Sequence, residues 1–254
     1  MSTTFFQHQR HNIQTLLSAG IGCAADDFER EDLTIVDRPE TTPWYTAMAV
    51  TFGMGIVVSV DPRFRAFVEE HAPQPRYLAL YPDLLQRMVT ECSTAAEPLE
   101  YTVPDLWWAL REAPVVPGAP NGFELRHMDR EWMVEKMSSD WPNGLGDPGA
   151  RDYRVGRNQF AVALFGQDGH PAAIAGAFIT YGMYEIGVDV APAHRGKGLA
   201  PMVVCALAHE ILDRGETPLY VCAPTNIRSQ RTALASGFLP VGSDASVGVA
   251  AAAS

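Results

Sequence analysis

Lysine is nearly missing from this chain: Lys136 and Lys197 stand against seventeen arginines, so no single arginine marks an anion site by itself. Basic residues are also outnumbered, nineteen against thirty acids, and the formal net charge of −11 repels a phosphate backbone over most of the surface. That balance speaks against general nucleic-acid binding. Cysteine is scarce: Cys23, Cys92, Cys205 and Cys222 lie far apart with no CxxC pair, which offers neither a zinc-site spacing nor a disulfide framework. A reducing cytoplasm is the expected location. There is no run approaching the ~18 apolar residues of a membrane span, and the opening MSTTFFQHQRHN has no basic-then-apolar signal pattern. Collagen-like, repeat and disordered compositions are absent as well. What is present is 254 residues with 47% hydrophobic side chains, enough for one large domain or two small ones with a real core.

The composition shifts near residues 112–122, where the segment EAPVVPGAPNG gathers three prolines and two glycines, and the domain boundary is placed there as a linker over 113–122. Residues 1–112 read as an α+β unit: a helix over 7–18, strands over 33–37, 45–52 and 56–60, a helix opened by Asp61 and Pro62, and another over 82–92. Residues 123–241 read as strand 123–126, helix 129–138, a turn-rich stretch 140–152, apolar runs 159–165 and 172–180, and strand 184–190. Helix 199–214, strand 218–222 and helix 226–236 follow. The Gly, Ala and Ser-rich residues 242–254 are expected to form a disordered tail.

The most informative stretch is EIGVDVAPAHRGKGLAPMVV, residues 185–204, which runs strand, glycine-rich loop, helix. Glycines at 196 and 198 let the loop take left-handed angles and turn its N–H groups inward, where the open amides and positive dipole end of the helix also point. Diphosphate is the natural guest, with Arg195 and Lys197 adding local charge. The spacing is neither GxxxxGK[ST] nor GxGxxG, which demotes two nucleotide folds. A purely structural strand-to-helix turn is the rival reading of the loop alone.

The surroundings favour the ligand. The chain resembles the GNAT superfamily of acyl-CoA-dependent N-acyltransferases, whose loop pattern [RQ]-x-x-G-x-[GA] is met by Arg195, Gly198 and Ala200. Val190-Ala191-Pro192 matches the V-x-P that precedes that loop, and Asn226, Ser229, Gly237 and Phe238 match a later N-x-x-S followed by G-F. The likeness covers roughly residues 123–241. It implies an α/β (α+β) fold: a mixed sheet, flanked by helices, whose fourth and fifth strands, here 184–190 and 218–222, splay apart, with a smaller N-terminal α+β domain beside it.

The resemblance implies acetyl-CoA as co-substrate and no metal. Its pantetheine arm would pair with backbone at Val188 and Val190, its diphosphate would sit on Arg195, Gly196, Lys197, Gly198, Leu199 and Ala200, and Asn226 and Ser229 would touch the arm. Arg228 or Arg231 would reach the adenosine phosphates. Direct attack by an amine requires a proton acceptor, and Glu185 is the choice, with a merely polar or substrate-positioning role as its rival; it shares one strand face with Asp189, opposite Val188 and Val190. The tyrosine that commonly protonates the thiolate is replaced by Ala233, which leaves Tyr184, Tyr220 and Ser229 as weak substitutes. A covalent route through Cys222 is disfavoured, no histidine being placed beside it.

The expected activity is therefore acetyl transfer to a small-molecule amine, with no nucleic-acid or membrane partner and with a homodimer left open. The alternative is a non-catalytic acyl-CoA-binding or regulatory module; an aminoacyl-tRNA-dependent transferase is a third reading that the negative charge opposes. Trp132 and Trp141 flank a stretch, 140–152, read either as a substrate lid or as ordinary packing. Residues 56–71, with VSVDP against VDVAP, look like a degenerate copy of the second half's strand-to-helix passage, without the RGKG segment.

Overall fold

The computed structural model describes residues 2–73, 79, 82–149 and 154–250. They form two compact units, neither contiguous in sequence. The first comprises residues 1–13, 108–221 and 226–239; the second comprises 14–107, 222–225 and 240–254. Residues 113–120, inside the proline-rich stretch, have no regular secondary structure.

In the first unit the strands β5 (Phe123–Met128), β6 (Asn158–Gly166), β7 (Pro171–Thr180), β8 (Met183–Val190) and β9 (Pro218–Cys222) lie in the order β9-β8-β7-β6-β5. β5 to β8 run antiparallel to their neighbours, and β9 joins β8 in parallel, so the sheet is mixed. Helix α4 (Arg130–Lys136) is opened by Asp129, whose carboxylate accepts from the Trp132 N–H at 2.8 Å. It packs over β6 and β7 through Met133, Leu145, Ala161, Ala163, Ile174 and Phe178, with Trp132 and Trp141 at the margin of that cluster. Helix α5 (Leu199–Asp213) lies along β6, β7 and β8 and buries Leu199, Val203, Leu207 and Ile211, the stripe its sequence spacing predicts. Helix α6 (Ile227–Ala235) follows β9 and ends before Gly237.

In the second unit β1 (Leu33–Asp37), β2 (Ala47–Thr51), β3 (Ile56–Val60), β4 (Leu99–Leu110) and β10 (Phe238–Val249) have the order β1-β3-β2-β10-β4. Its core gathers Ala47, Val58, Val60, Leu85, Met88 and Val247 under helices α2 (Arg65–His71) and α3 (Pro82–Cys92). The first helix, α1, covers Ser2–Ile21 rather than 7–18, because nothing breaks the helix before Gly22.

The expected tail is corrected, and one strand was not foreseen. The segment from 242 onward is not a disordered tail over its described residues: Ser243–Val247 pair antiparallel with Thr51–Ala47, and Ala245 and Val247 are fully buried. The small residues that resembled a linker fit closely packed neighbours instead, as Gly242 shows, where a Cβ would stand 2.6 Å from the Thr51 carbonyl oxygen. Residues 251–254 lie outside the described residues. Strand β4 was not expected, because Pro104 and the acids around it interrupt every period-2 pattern.

Both units carry a strand-to-helix passage. In the second unit β3 leads through Asp61 and a short 3₁₀ turn, Pro62–Phe64, into α2, the same order as β8, the 3₁₀ turn Pro192–His194 and α5. Yet β1 stays paired with β3 over all five residues, and the Arg38 N–H extends the ladder to the Val60 carbonyl at 2.7 Å. Where the other unit has its glycine loop, this one has a side-chain knot. Asp61, 7% exposed, accepts from the Arg63 backbone N–H and Nε at 3.0 Å each, and from the Arg38 guanidinium at 2.9 Å. Arg63 above all, aided by Arg38, holds the Asp61 carboxyl well below the usual carboxylate range.

Because that carboxyl is depressed in the folded protein, its stabilisation is present at neutral pH and fades as pH falls below the ordinary carboxylate range. Asp61→Ala is expected to lower stability by about 2 kcal/mol or more, since it removes a helix cap and strands the Arg38 charge. The loss should shrink in acid. Denaturant titrations of both proteins at neutral and acid pH check it, and an unchanged midpoint at neutral pH refutes it.

Candidate active site

The site is assembled where β8 and β9 part. Their ladder holds three pairs, Tyr184 with Pro218, Glu185 with Leu219 and Ile186 with Tyr220, while β8 continues to Val190 and β9 to Cys222. Which backbone groups face the opening follows from the other edge of β8. The Ala191 N–H donates to the Ala172 carbonyl at 2.9 Å, so the pair 172/191 is hydrogen-bonded, and by antiparallel alternation 189, 187 and 185 also turn their backbone groups to β7. Residues 186, 188 and 190 therefore turn theirs toward β9. The Tyr184 N–H bond to the Thr217 carbonyl, at 2.9 Å, obeys the same parity. Beyond Ile186 the ladder has ended, and the backbone of Val188 and Val190 faces the gap.

The strand then delivers the chain to the glycine loop. Gly196 and Gly198 adopt φ of +77° and +74°, the left-handed region that L side chains resist, and a Cβ at either would meet nothing within 4 Å. The glycines are thus required by conformation, with open space beside them. Gly198 is the N-cap of α5, followed by Leu199, buried, and Ala200. Arg195 reaches back so that its Nε donates to the Val190 carbonyl at 3.2 Å, fastening the loop to the strand end, and Lys197 is exposed.

Strand alternation places Glu185, Gly187 and Asp189 on one face of β8 and Ile186, Val188 and Val190 on the other. Glu185 is only 3% exposed. Its Oε2 accepts from the Thr180 hydroxyl at 2.9 Å, and its Oε1 lies 3.6 Å from the Arg154 guanidinium, the counter-charge that a buried carboxylate requires. Asp189 accepts from the Asn143 N–H at 2.7 Å, the Asn143 side-chain amide at 2.9 Å and the Gly144 N–H at 2.8 Å. No sequence signal announced this anchor, whose partners lie some 46 positions away.

On α6, the Asn226 side-chain oxygen accepts from the Ser229 N–H at 3.1 Å and so caps the helix, and the Ser229 hydroxyl lies 2.8 Å from the Tyr220 phenol oxygen. Tyr220 is 1% exposed and Cys222 is buried. Ala233, at the position of the missing tyrosine, is fully buried. Residues 140–149 of the turn-rich stretch are described, and 150–152 lie outside the described residues.

Residues 164–238, which take in β8, α5, β9 and α6, match the family described as FR47-like protein. Among solved structures, a GCN5-related N-acetyltransferase from Kribbella flavida superposes with a TM-score of 0.50 at 15% identity, covering 95% of this chain and 96% of that one. The fold is the GNAT fold. A GCN5-related N-acetyltransferase-like protein from Streptococcus suis (TM-score 0.44, 18% identity, 76% of this chain and 78% of that one) is a more distant likeness. So is a tandem GNAT protein from the clavulanic acid biosynthesis pathway (TM-score 0.44, 15% identity, 82% and 85%). No curated protein sequence matches the chain. The GNAT fold puts the expected loop, strand edge and second motif in one unit, where Gly196 and Gly198 lie beyond the end of the parting strand β8 and Asn226 and Ser229 open α6 after β9. Among the described residues no helix is long and apolar enough to cross a membrane.

Proposed function

We propose that this protein is an acyl-CoA-dependent N-acetyltransferase acting on a small-molecule amine. The observation that carries the reading is the parting of β8 from β9 with the backbone of Val188 and Val190 facing the gap, above a loop whose two glycines are left-handed and open. A strand edge of this kind takes an extended, amide-bearing ligand as a further strand, and the loop with the α5 N-terminus takes its diphosphate. Acetyl-CoA has both parts, and supplies an acyl group on a sulfur that leaves readily.

In this reading Arg195, Gly196, Lys197, Gly198, Leu199 and Ala200 hold the diphosphate, and Asn226 and Ser229 stand beside the pantetheine arm. The Val188 N–H offers a donor to a carbonyl oxygen in the gap, an interaction typically worth about 2.7 to 4 kcal/mol of barrier. Glu185 takes the amine proton through an intervening water, since its carboxylate is covered and already engaged by Thr180 and Arg154. Asp189 is excluded from that role by its three bonds to Asn143 and Gly144.

The buried Ala233 and the covered Glu185 favour one rival, an acyl-CoA-binding module without turnover. Calorimetry with acetyl-CoA, followed by free-thiol release across a panel of small amines, separates the readings. Binding with amine-dependent thiol release is expected. Binding without release from any amine favours the module, and absence of binding by folded protein removes both.

A further inference from the structure

The face of β8 that carries Glu185, Gly187 and Asp189 is roofed by residues 143–144. Gly176 on β7 and Gly187 on β8 are register partners, side by side on the face that carries Glu185. A Cβ on Gly187 would stand 1.9 Å from the Asn143 carbonyl oxygen, and one on Gly176 would stand 1.9 Å from the Gly144 carbonyl oxygen and 2.8 Å from Met133. Gly144 in turn packs against β7, where a Cβ on it would stand 3.0 Å from the Ile174 carbonyl oxygen. The chain at 143–144 therefore touches the sheet backbone to backbone, an approach that only paired glycines permit.

Polar bonds lock that contact at both ends. Asp189 takes two consecutive N–H groups and the Asn143 side-chain amide, and the buried Asn158 donates its side-chain N–H to the Leu145 carbonyl at 2.7 Å. The Leu145 N–H closes a turn onto the Trp141 carbonyl at 2.9 Å. This half of the turn-rich stretch has the bonding of a fixed wall and not of a lid.

We propose that Asp189 is a positioning residue which, with the Gly176/Gly187 pair, holds residues 143–145 as a rigid wall of the acceptor pocket and thereby sets acceptor affinity. The proposal rests on the acetyltransferase reading of the site. It follows from placement: residues 143–144 cover the face of β8 that carries Glu185 and Asp189, so an amine reaching Glu185 passes along them, while the backbone of Val188 and Val190 faces the gap toward β9. A wall displaced by about 1 Å can cost on the order of 10²-fold in a reaction that depends on alignment.

The test uses the full chain and the Asp189→Asn and Asp189→Glu variants, with the best amine from the thiol-release panel. In Asp189→Asn, faster hydrogen exchange at the Asn143 and Gly144 amides is expected, with acceptor KM raised at least about tenfold. Acetyl-CoA affinity should be retained and kcat should fall by a smaller factor. Asp189→Glu, which keeps the charge, should recover part of the KM. Faster exchange with acceptor KM unchanged overturns the proposal, because the wall would then be loosened without consequence. Unchanged exchange overturns it too, since Asp189 would not be the anchor. Failure of the wild-type chain to bind acetyl-CoA or release thiol is a different result, and it falls on the acetyltransferase reading itself.

Discussion

Gly198→Val is expected to abolish useful affinity for coenzyme A while leaving the protein folded. Two costs combine. The residue sits at φ +74°, where a β-branched side chain is strained by roughly 1–2 kcal/mol, and its Cβ would project into space that holds nothing of the protein. The surroundings therefore tolerate the bulk in the free protein, so the melting temperature should move only by what the strain dictates. In the proposed reading the ligand does not tolerate it, because the same space is where the loop amides would meet a diphosphate. An affinity loss of at least about 100-fold, near 2.7 kcal/mol, is expected by calorimetry. Gly198→Ala separates the causes: it adds left-handed strain with little bulk and should fall between the two. Coenzyme A bound by Gly198→Val within about threefold of the wild type would remove the loop from the binding site.

Glu185→Gln carries the second large effect. The substitution is isosteric, its side-chain carbonyl can still accept from Thr180, and the counter-charge to Arg154 is lost. If Glu185 receives the amine proton, kcat at neutral pH should fall by about 10²- to 10⁴-fold, with acetyl-CoA affinity unchanged. Raising the pH, which deprotonates the amine in solution, should restore part of the rate. Rates equal to the wild type at every pH would reassign Glu185 as a structural partner of Arg154. Melting curves run alongside show whether loss of the buried pair has damaged the fold instead.

The parts of this site that could be read from the sequence are those whose chemistry is local. Gly196 and Gly198 show themselves because a tight strand-to-helix passage needs left-handed residues, and the alternation along 185–190 fixes which side chains share a face. The parting of the strands was supplied by the resemblance, and the ladder ending at Ile186 and Tyr220 agrees with it. Contacts between distant segments were not legible. Nothing in the spacing of Asn143, Gly176, Gly187 and Asp189 shows that they meet, since backbone-to-backbone packing leaves no periodicity in either partner. The same holds for Glu185: its position on β8 was predictable, but its burial and its ion pair with Arg154 depend on how 154 returns to the sheet. Strand β10 was misread for a related reason, because small residues that suit a crowded interior look the same as those that suit a linker.

That last strand also governs the order in which the chain can fold. In the second unit β10 lies between β2 and β4, although roughly 130 residues separate β4 from it in sequence. A ribosome adding about 5 to 20 residues per second exposes β1 to β4 well before the strand that must lie between β2 and β4. During synthesis β2 and β4 present unsatisfied edges of the kind that invite pairing with other chains. The final dozen described residues thus act as the closing stitch of the portion made first, and a nascent chain is most vulnerable to aggregation until they emerge.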